Sequence, residues 1–240
     1  MSDTNTFLQK KSCCFWQNYW GLLTKESVRS EKFEIYGFEN ISSANRDKRH
    51  FSFDKSGTLW GFVLQGSLQA NSSTLSWNVS PGQWFCLPFK GGGSIAADKD
   101  TRVFILFYKD HYGLSSMGGP VEHVGRLQYI DGCTDTLLYS PPTIGEPCLN
   151  LLHFPAGVNQ TTHYHPSFRA GIVNQGQGIC VTGESYPLAI GTIFYLPAST
   201  RHKFQTNDRS MDVISFHPDS DWGPTHEVHP MINRTWGRDD

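Results

Sequence analysis

The 240-residue chain has no apolar run near the ~20 residues needed to cross a bilayer as a helix, so a membrane-spanning role is not expected. It begins Met1-Ser2-Asp3-Thr4, without the basic stretch and apolar core of a secretory leader. A cytoplasmic, reducing setting is expected, in which the six cysteines read as free thiols. There is no Cys-x-x-Cys pair, and Cys13 and Cys14 are adjacent, so a cysteine metal site is not expected. Cys86, Cys148 and Cys180 read as buried strand positions. Long Lys/Arg blocks are missing and the net charge is -2, which argues against a nucleic-acid partner. The densest charged cluster, Arg46-Asp47-Lys48-Arg49-His50, contains an acid and reads as a solvated loop.

Hydrophobic residues make up 38% of the chain and charged residues 18%, enough for a packed core. Aromatic residues reach 13%, with 23 glycines and 13 prolines. That mixture suits many short strands joined by tight turns.

The chain also repeats itself. Gly61-Phe-Val-Leu-Gln-Gly66 followed by Pro81-Gly82-Gln-Trp-Phe85-Cys-Leu-Pro88 matches a later pair of segments. These are Gly171-Ile-Val-Asn-Gln-Gly176 and Ile190-Gly191-Thr-Ile-Phe194-Tyr-Leu-Pro197. The offset is near 110 residues, too long for a solenoid and right for two copies of one β unit. Runs such as Thr101–Tyr108 and Met211–Phe216 read as alternating strands, and turn residues recur at short intervals, the pattern of a sandwich or barrel. A short helix is expected around Phe15 to Leu23.

Histidine is scarce, with 10 residues, and three of them stand out. His163 and His165 lie at i and i+2, which on a strand places both imidazoles on one face. His202 follows a Gly191-x5-Pro197 turn that would return it on a neighbouring strand. Imidazole suits Fe(II), Ni, Cu, Zn or Mn, and an open position on such an ion permits catalysis. His153 reads as a core histidine, Tyr164 as packing, and His217, His226 and His229 as parts of a surface tail packed by Trp222 and Met231.

These residues resemble the two motifs of the cupin superfamily. In the first, G-x5-H-x-H-x3,4-E-x6-G, the residues Gly157, His163, His165 and Gly176 are in register. In the second, G-x5-P-x-G-x2-H-x3-N, Gly191, Pro197 and His202 are in register. The resemblance implies an all-β chain of two tandem cupin barrels of jelly-roll type. The corresponding divisions are an N-terminal segment 1–30, a degenerate barrel 31–112, a connector 113–140, a metal-binding barrel 141–217 and a tail 218–240 packing on it. Arg169 replaces the motif glutamate, Ser199 the second-motif glycine and Thr206 its asparagine. A guanidinium does not ligate metals, so the site should hold one divalent transition metal on three histidines, Fe(II) being favoured over Zn, Mn, Ni or Cu. If Pro166 introduces no bulge, strand parity turns Arg169 inward, where it reads a substrate anion; the alternatives are that it pairs with an acid such as Glu184 or snorkels out of the barrel. Phe168, Phe194, Phe204 and Tyr195 are candidates for the apolar lining.

In the first copy the ligand places fall on Phe53, Lys55 and Gly93, so that barrel is expected to be metal-free: a scaffold, a dimer contact in a homodimer, or a degenerate pocket. The implied activity is that of a non-haem dioxygenase acting on a small, carboxylate-bearing molecule. A metal-dependent isomerase or lyase, and a barrel that only binds a small ligand, are the alternatives.

Overall fold

The computed structural model describes residues 13–17, 19–28, 31–38, 50–98, 100–143 and 145–219. Its first half contains β1 (Cys14–Trp16), β2 (Trp20–Val28), β3 (Glu31–Phe38), β4 (His50–Phe53), β5 (Gly57–Gln65), β6 (Leu68–Ser72), β7 (Ser76–Val79), β8 (Trp84–Phe89), β9 (Gly93–Ala97), β10 (Arg102–Lys109) and β11 (Ser116–Gly118). The second half continues with β12 (Leu127–Gln128), β13 (Thr134–Tyr139), β14 (Cys148–Phe154), β15 (Arg169–Val181), β16 (Ser185–Ala189), β17 (Ile193–Leu196), β18 (Lys203–Gln205) and β19 (Met211–His217). The only helical element among the described residues is a 3-10 turn at Ile130–Gly132. None of the described helices is long and apolar enough to cross a membrane. The helix expected around Phe15 to Leu23 is instead β1 and the start of β2. A short apolar stretch carries no period that separates the two states, and here pairing with β17 decides it.

Pairing is antiparallel throughout the ladders. One large sheet runs β11-β8-β5-β10-β3-β2, and the other runs β1-β17-β15-β19-β14-β13-β12. The run β8-β5-β10-β3-β2 answers strand for strand to β17-β15-β19-β14-β13, near the offset of the sequence repeat, and β12 extends the second sheet beyond it. Gly66 and Gly176 end the matching strand segments with φ of 74° and 71°, and Gly82 and Gly191 follow with 78° and 87°. Left-handed backbone favours glycine, which is why these positions recur in both copies. The edge strands cross over: β1, which precedes the first half, pairs with β17, while β11, which precedes the second, pairs with β8.

Both large sheets are buried on both faces. Along β10, Phe104, Leu106 and Tyr108 enter a core shared with Leu151, Ile172, Phe216 and others of the second half. Val103, Ile105 and Phe107 enter a separate core with Phe85, Leu87 and Ile95. The run is therefore continuously apolar rather than alternating, as strands covered on both sides must be. On the far side of the second sheet, Leu152, Phe154, Val173, Val213 and Phe204 make a third core. Cys86, Cys148 and Cys180 are buried in strands, and no disulfide forms among the described cysteines.

Phe53 belongs to the first-half core, its ring 5.0 Å from Phe107 and 6.2 Å from Phe89. Lys55 is exposed, and a Cβ on Gly93 would lie 2.7 Å from the Phe89 ring. Aromatic packing thus fills this end of the first half.

Candidate metal centre

His163, His165 and His202 converge, each offering a ring nitrogen within 4.8 Å of the others. One ion with metal–nitrogen bonds of about 2.1 Å can gather such a set with small side-chain adjustments. His163 and His165 do not lie on a regular strand as expected. They occupy an irregular segment in which His163 is bridged to His202 by backbone bonds of 2.9 and 2.8 Å. Pro166 follows directly and cannot donate to a ladder. The Ser199 amide, at φ 62° in the place of the motif glycine, donates to the His165 carbonyl at 2.8 Å.

The ring orientations are set by the backbone. The His163 Nδ1–H donates to the Thr161 carbonyl at 2.8 Å, and the His202 Nδ1–H to the Thr200 carbonyl at 2.9 Å. A carbonyl only accepts, so each ring carries its proton on Nδ1 and keeps an Nε2 lone pair for a ligand. Asp131 holds the first of these platforms: its carboxylate accepts from the Thr161 amide at 2.5 Å and from the Thr161 hydroxyl at 3.2 Å. Burial pushes the His165 pKa down to about 2, helped by the charges of Arg169, His202 and His163. Burial, with smaller contributions from His163 and Arg169, takes His202 down to about 4. Both rings are therefore neutral at neutral pH, as metal ligation requires. The donor set fits one divalent transition metal.

Arg169 is 4% exposed and starts β15 on the inward face. Its Nη1 donates to the Ser167 hydroxyl at 2.5 Å and the Phe168 carbonyl at 3.0 Å, and lies 3.9 Å from Asp219. Asp219, rather than Glu184, is the acid it meets. Phe204 stands 5.8 Å from the His202 ring, and Phe194 is 6.2 Å from Phe204, so these two line the interior. Phe168 and Tyr195 do not. Both enter the core between the large sheets, where Phe168 stacks on Phe33 at 4.2 Å. Both faces of these strands are apolar, so hydrophobicity alone could not assign the side. Tyr164, expected to pack, is instead 59% exposed. His153 pairs with Asp212 at 2.6 Å, on strand positions that alternate with the inward residues Leu152 and Phe154.

Sequence reasoning missed His217. It is the last residue of β19, not part of a surface tail, and its Nε2 is buried. Burial, then the charges of Arg169 and His165, hold its pKa well below the usual histidine range. His226, His229, Trp222 and Met231 lie outside the described residues.

The similarity to solved structures is in shape rather than sequence. A salicylate 1,2-dioxygenase from Pseudaminobacter salicylatoxidans aligns with a TM-score of 0.59 at 12% identity, over 91% of this chain and 88% of that one. A "Cupin 2 conserved barrel domain protein" from Leptotrichia buccalis gives 0.56 at 13%, over 88% and 91%. The fold is that of the cupins. A salicylate 1,2-dioxygenase solved as adducts with gentisate matches this cupin fold at 0.54 and 12%, over 78% of this chain and 68% of that one. No family model and no curated protein matches the sequence.

Proposed function

We propose that this chain is a metal-dependent cupin enzyme of the non-haem Fe(II) dioxygenase kind, acting on a small anionic organic molecule. Two tandem barrels, residues 31–112 and 141–217, would make up its body, with the metal in the second. The carrying observation is the cluster of His163, His165 and His202, with two of its Nε2 lone pairs freed by backbone acceptors. When bound, a divalent ion there supplies Lewis acidity and open coordination positions. The chain's own residues supply the surroundings. Phe194 and Phe204 give an apolar lining that excludes water, and Arg169 adds positive charge beside the histidines. Positive charge from the ion and from Arg169 favours a carboxylate in the interior. The neighbour solved with gentisate, a small acid, is consistent with that substrate class.

The test is elemental analysis of protein purified without chelators, read beside an oxygen-electrode trace. Stoichiometric iron, lost in His165→Ala, with oxygen consumption on addition of small carboxylic acids, supports the reading. Zinc or manganese without oxygen uptake would point to a Lewis-acid isomerase or lyase. Metal-free protein would point to a binding barrel.

A further inference from the structure

The inner face of the second large sheet carries a polar wall that the sequence repeat makes conspicuous. In register, Ala170 lies opposite Phe216 and Cys148 opposite His217. One position further along β15, Arg169 comes opposite His217, on the face that alternates with Ala170 and Phe216 of the inter-sheet core. Asn150 lies opposite Ser215 on the same face, one diagonal step from His217, a Cα separation of about 7–8 Å.

Two polar atoms on this face are buried with no hydrogen-bond partner among the described residues, His217 Nε2 and Asn150 Oδ1. The Asn150 orientation is set by its Nδ2, which donates to both Asp135 oxygens at 2.9 and 2.8 Å. Buried polar atoms are nearly always satisfied. Two orphans on one inward face, beside a buried guanidinium, describe a surface built for a ligand's polar groups.

The first half provides an internal comparison. At the repeat offset, His163 and His165 answer to Phe53 and Lys55, Arg169 to Leu59, and His217 to Phe107. Leu59 and Phe107 are paired with each other and sit in the first-half core. Phe53, Leu59 and Phe107, apolar and buried in the first copy, thus answer to His163, Arg169 and His217 in the second, while Lys55, opposite His165 in the repeat, is exposed. The polar groups at that end of the first half satisfy one another: Tyr36 donates to Glu34 at 2.6 Å and Lys109 to Glu34 at 2.5 Å.

We propose that His217 and Asn150, with the charge of Arg169, form a second recognition wall for a small carboxylate that also carries a hydroxyl or N–H donor. The His217 Nε2–H donates to a carboxylate oxygen, Arg169 supplies the countercharge, and Asn150 Oδ1 accepts from the donor. This deepens the function proposed above and rests on it for the metal site at His165.

The experiment measures calorimetric binding of glycolate, acetate and uncharged glycolamide to cobalt-loaded and to metal-free protein. The parent should prefer glycolate to glycolamide in both forms. His217→Phe, which installs the residue found in the other copy, should weaken glycolate and acetate alike by about tenfold, the scale of one hydrogen bond to a charged group. His217→Gln restores a donor and should recover most of the loss. Asn150→Ala should erase the advantage of glycolate over acetate. Parental affinities in His217→Phe, or no preference of the parent for glycolate over glycolamide, would overturn the wall. Failure to take up cobalt would instead overturn the metal reading, while the metal-free titrations still decide the wall.

Discussion

Trp60 offers the sharpest test of how the two large sheets are joined. It is fully buried on β5. Its indole meets two rings from the second half, Tyr139 at 4.6 Å nearly perpendicular and Phe216 at 5.3 Å. Its Nε1–H has no hydrogen-bond partner among the described residues. Trp60→Ala removes the whole ring from a close-packed seam and should cost about 3–5 kcal/mol. Trp60→Phe keeps the aromatic contacts and gives up on the order of 40 Å² of apolar surface, roughly 1 kcal/mol at ~25 cal/mol/Å². It also removes an unsatisfied buried donor, whose desolvation costs about 1–3 kcal/mol. The two effects oppose, so Trp60→Phe should match the parent or exceed it by up to about 2 kcal/mol. Urea unfolding followed by far-ultraviolet circular dichroism gives both numbers. A Phe variant as unstable as the Ala variant would mean that the Nε1–H is hydrogen-bonded in solution, and the reasoning fails.

Asp131→Asn should lower metal affinity about tenfold or more, the usual effect of disturbing a group that orients a ligand, because Asp131 anchors the Thr161 carbonyl that holds His163; competition with a chromophoric chelator measures it. Metal-free protein should lose stability on acidification relative to His202→Asn. The folded His202 pKa lies near 4 against 6.5 for the model imidazole, so below about pH 6.5 the unfolded chain takes up a proton that the folded one refuses. The stability difference should shrink steadily from pH 6.5 to 4 and level off below; a constant difference across that window would contradict the burial of this ring. Gly171→Ala should destabilise by about 1–3 kcal/mol or more, because a Cβ there collides with the Ile214 carbonyl oxygen on β19; thermal unfolding indistinguishable from the parent would show that the two strands sit further apart.

The repeat and the three histidines were legible because glycines and prolines fix backbone positions that residue type reveals directly. Gly66 and Gly176 require left-handed backbone, and the spacing from Gly191 to His202 carries the turn that returns the third imidazole. What stayed hidden depends on contacts far apart in sequence. Nothing in Cys14-Phe15-Trp16 announces that its partner is Tyr195-Phe194-Ile193. Phe168 and Phe194 are equally apolar, yet they lie in different cores because each sheet is covered on both sides. His217 precedes Pro218 and a run of polar residues, which makes it look like the start of a tail. Only pairing with Cys148 shows that β19 continues through it.

The crossed edge strands have a consequence for how the chain is made. Cys14 emerges from the ribosome early, but its partner Tyr195 follows some 180 residues later. At about 5–20 residues per second, β1 waits roughly 10–40 seconds for its place in the second sheet. During that interval the apolar segment Cys14-Phe15-Trp16 has no native strand to lie against. β11, by contrast, finds β8 already synthesised when it appears. The two exchanges are alike in space but unequal in time, and the earlier half can complete its own sheet while its leading strand is still exposed to chaperones or to the same strand of another nascent chain.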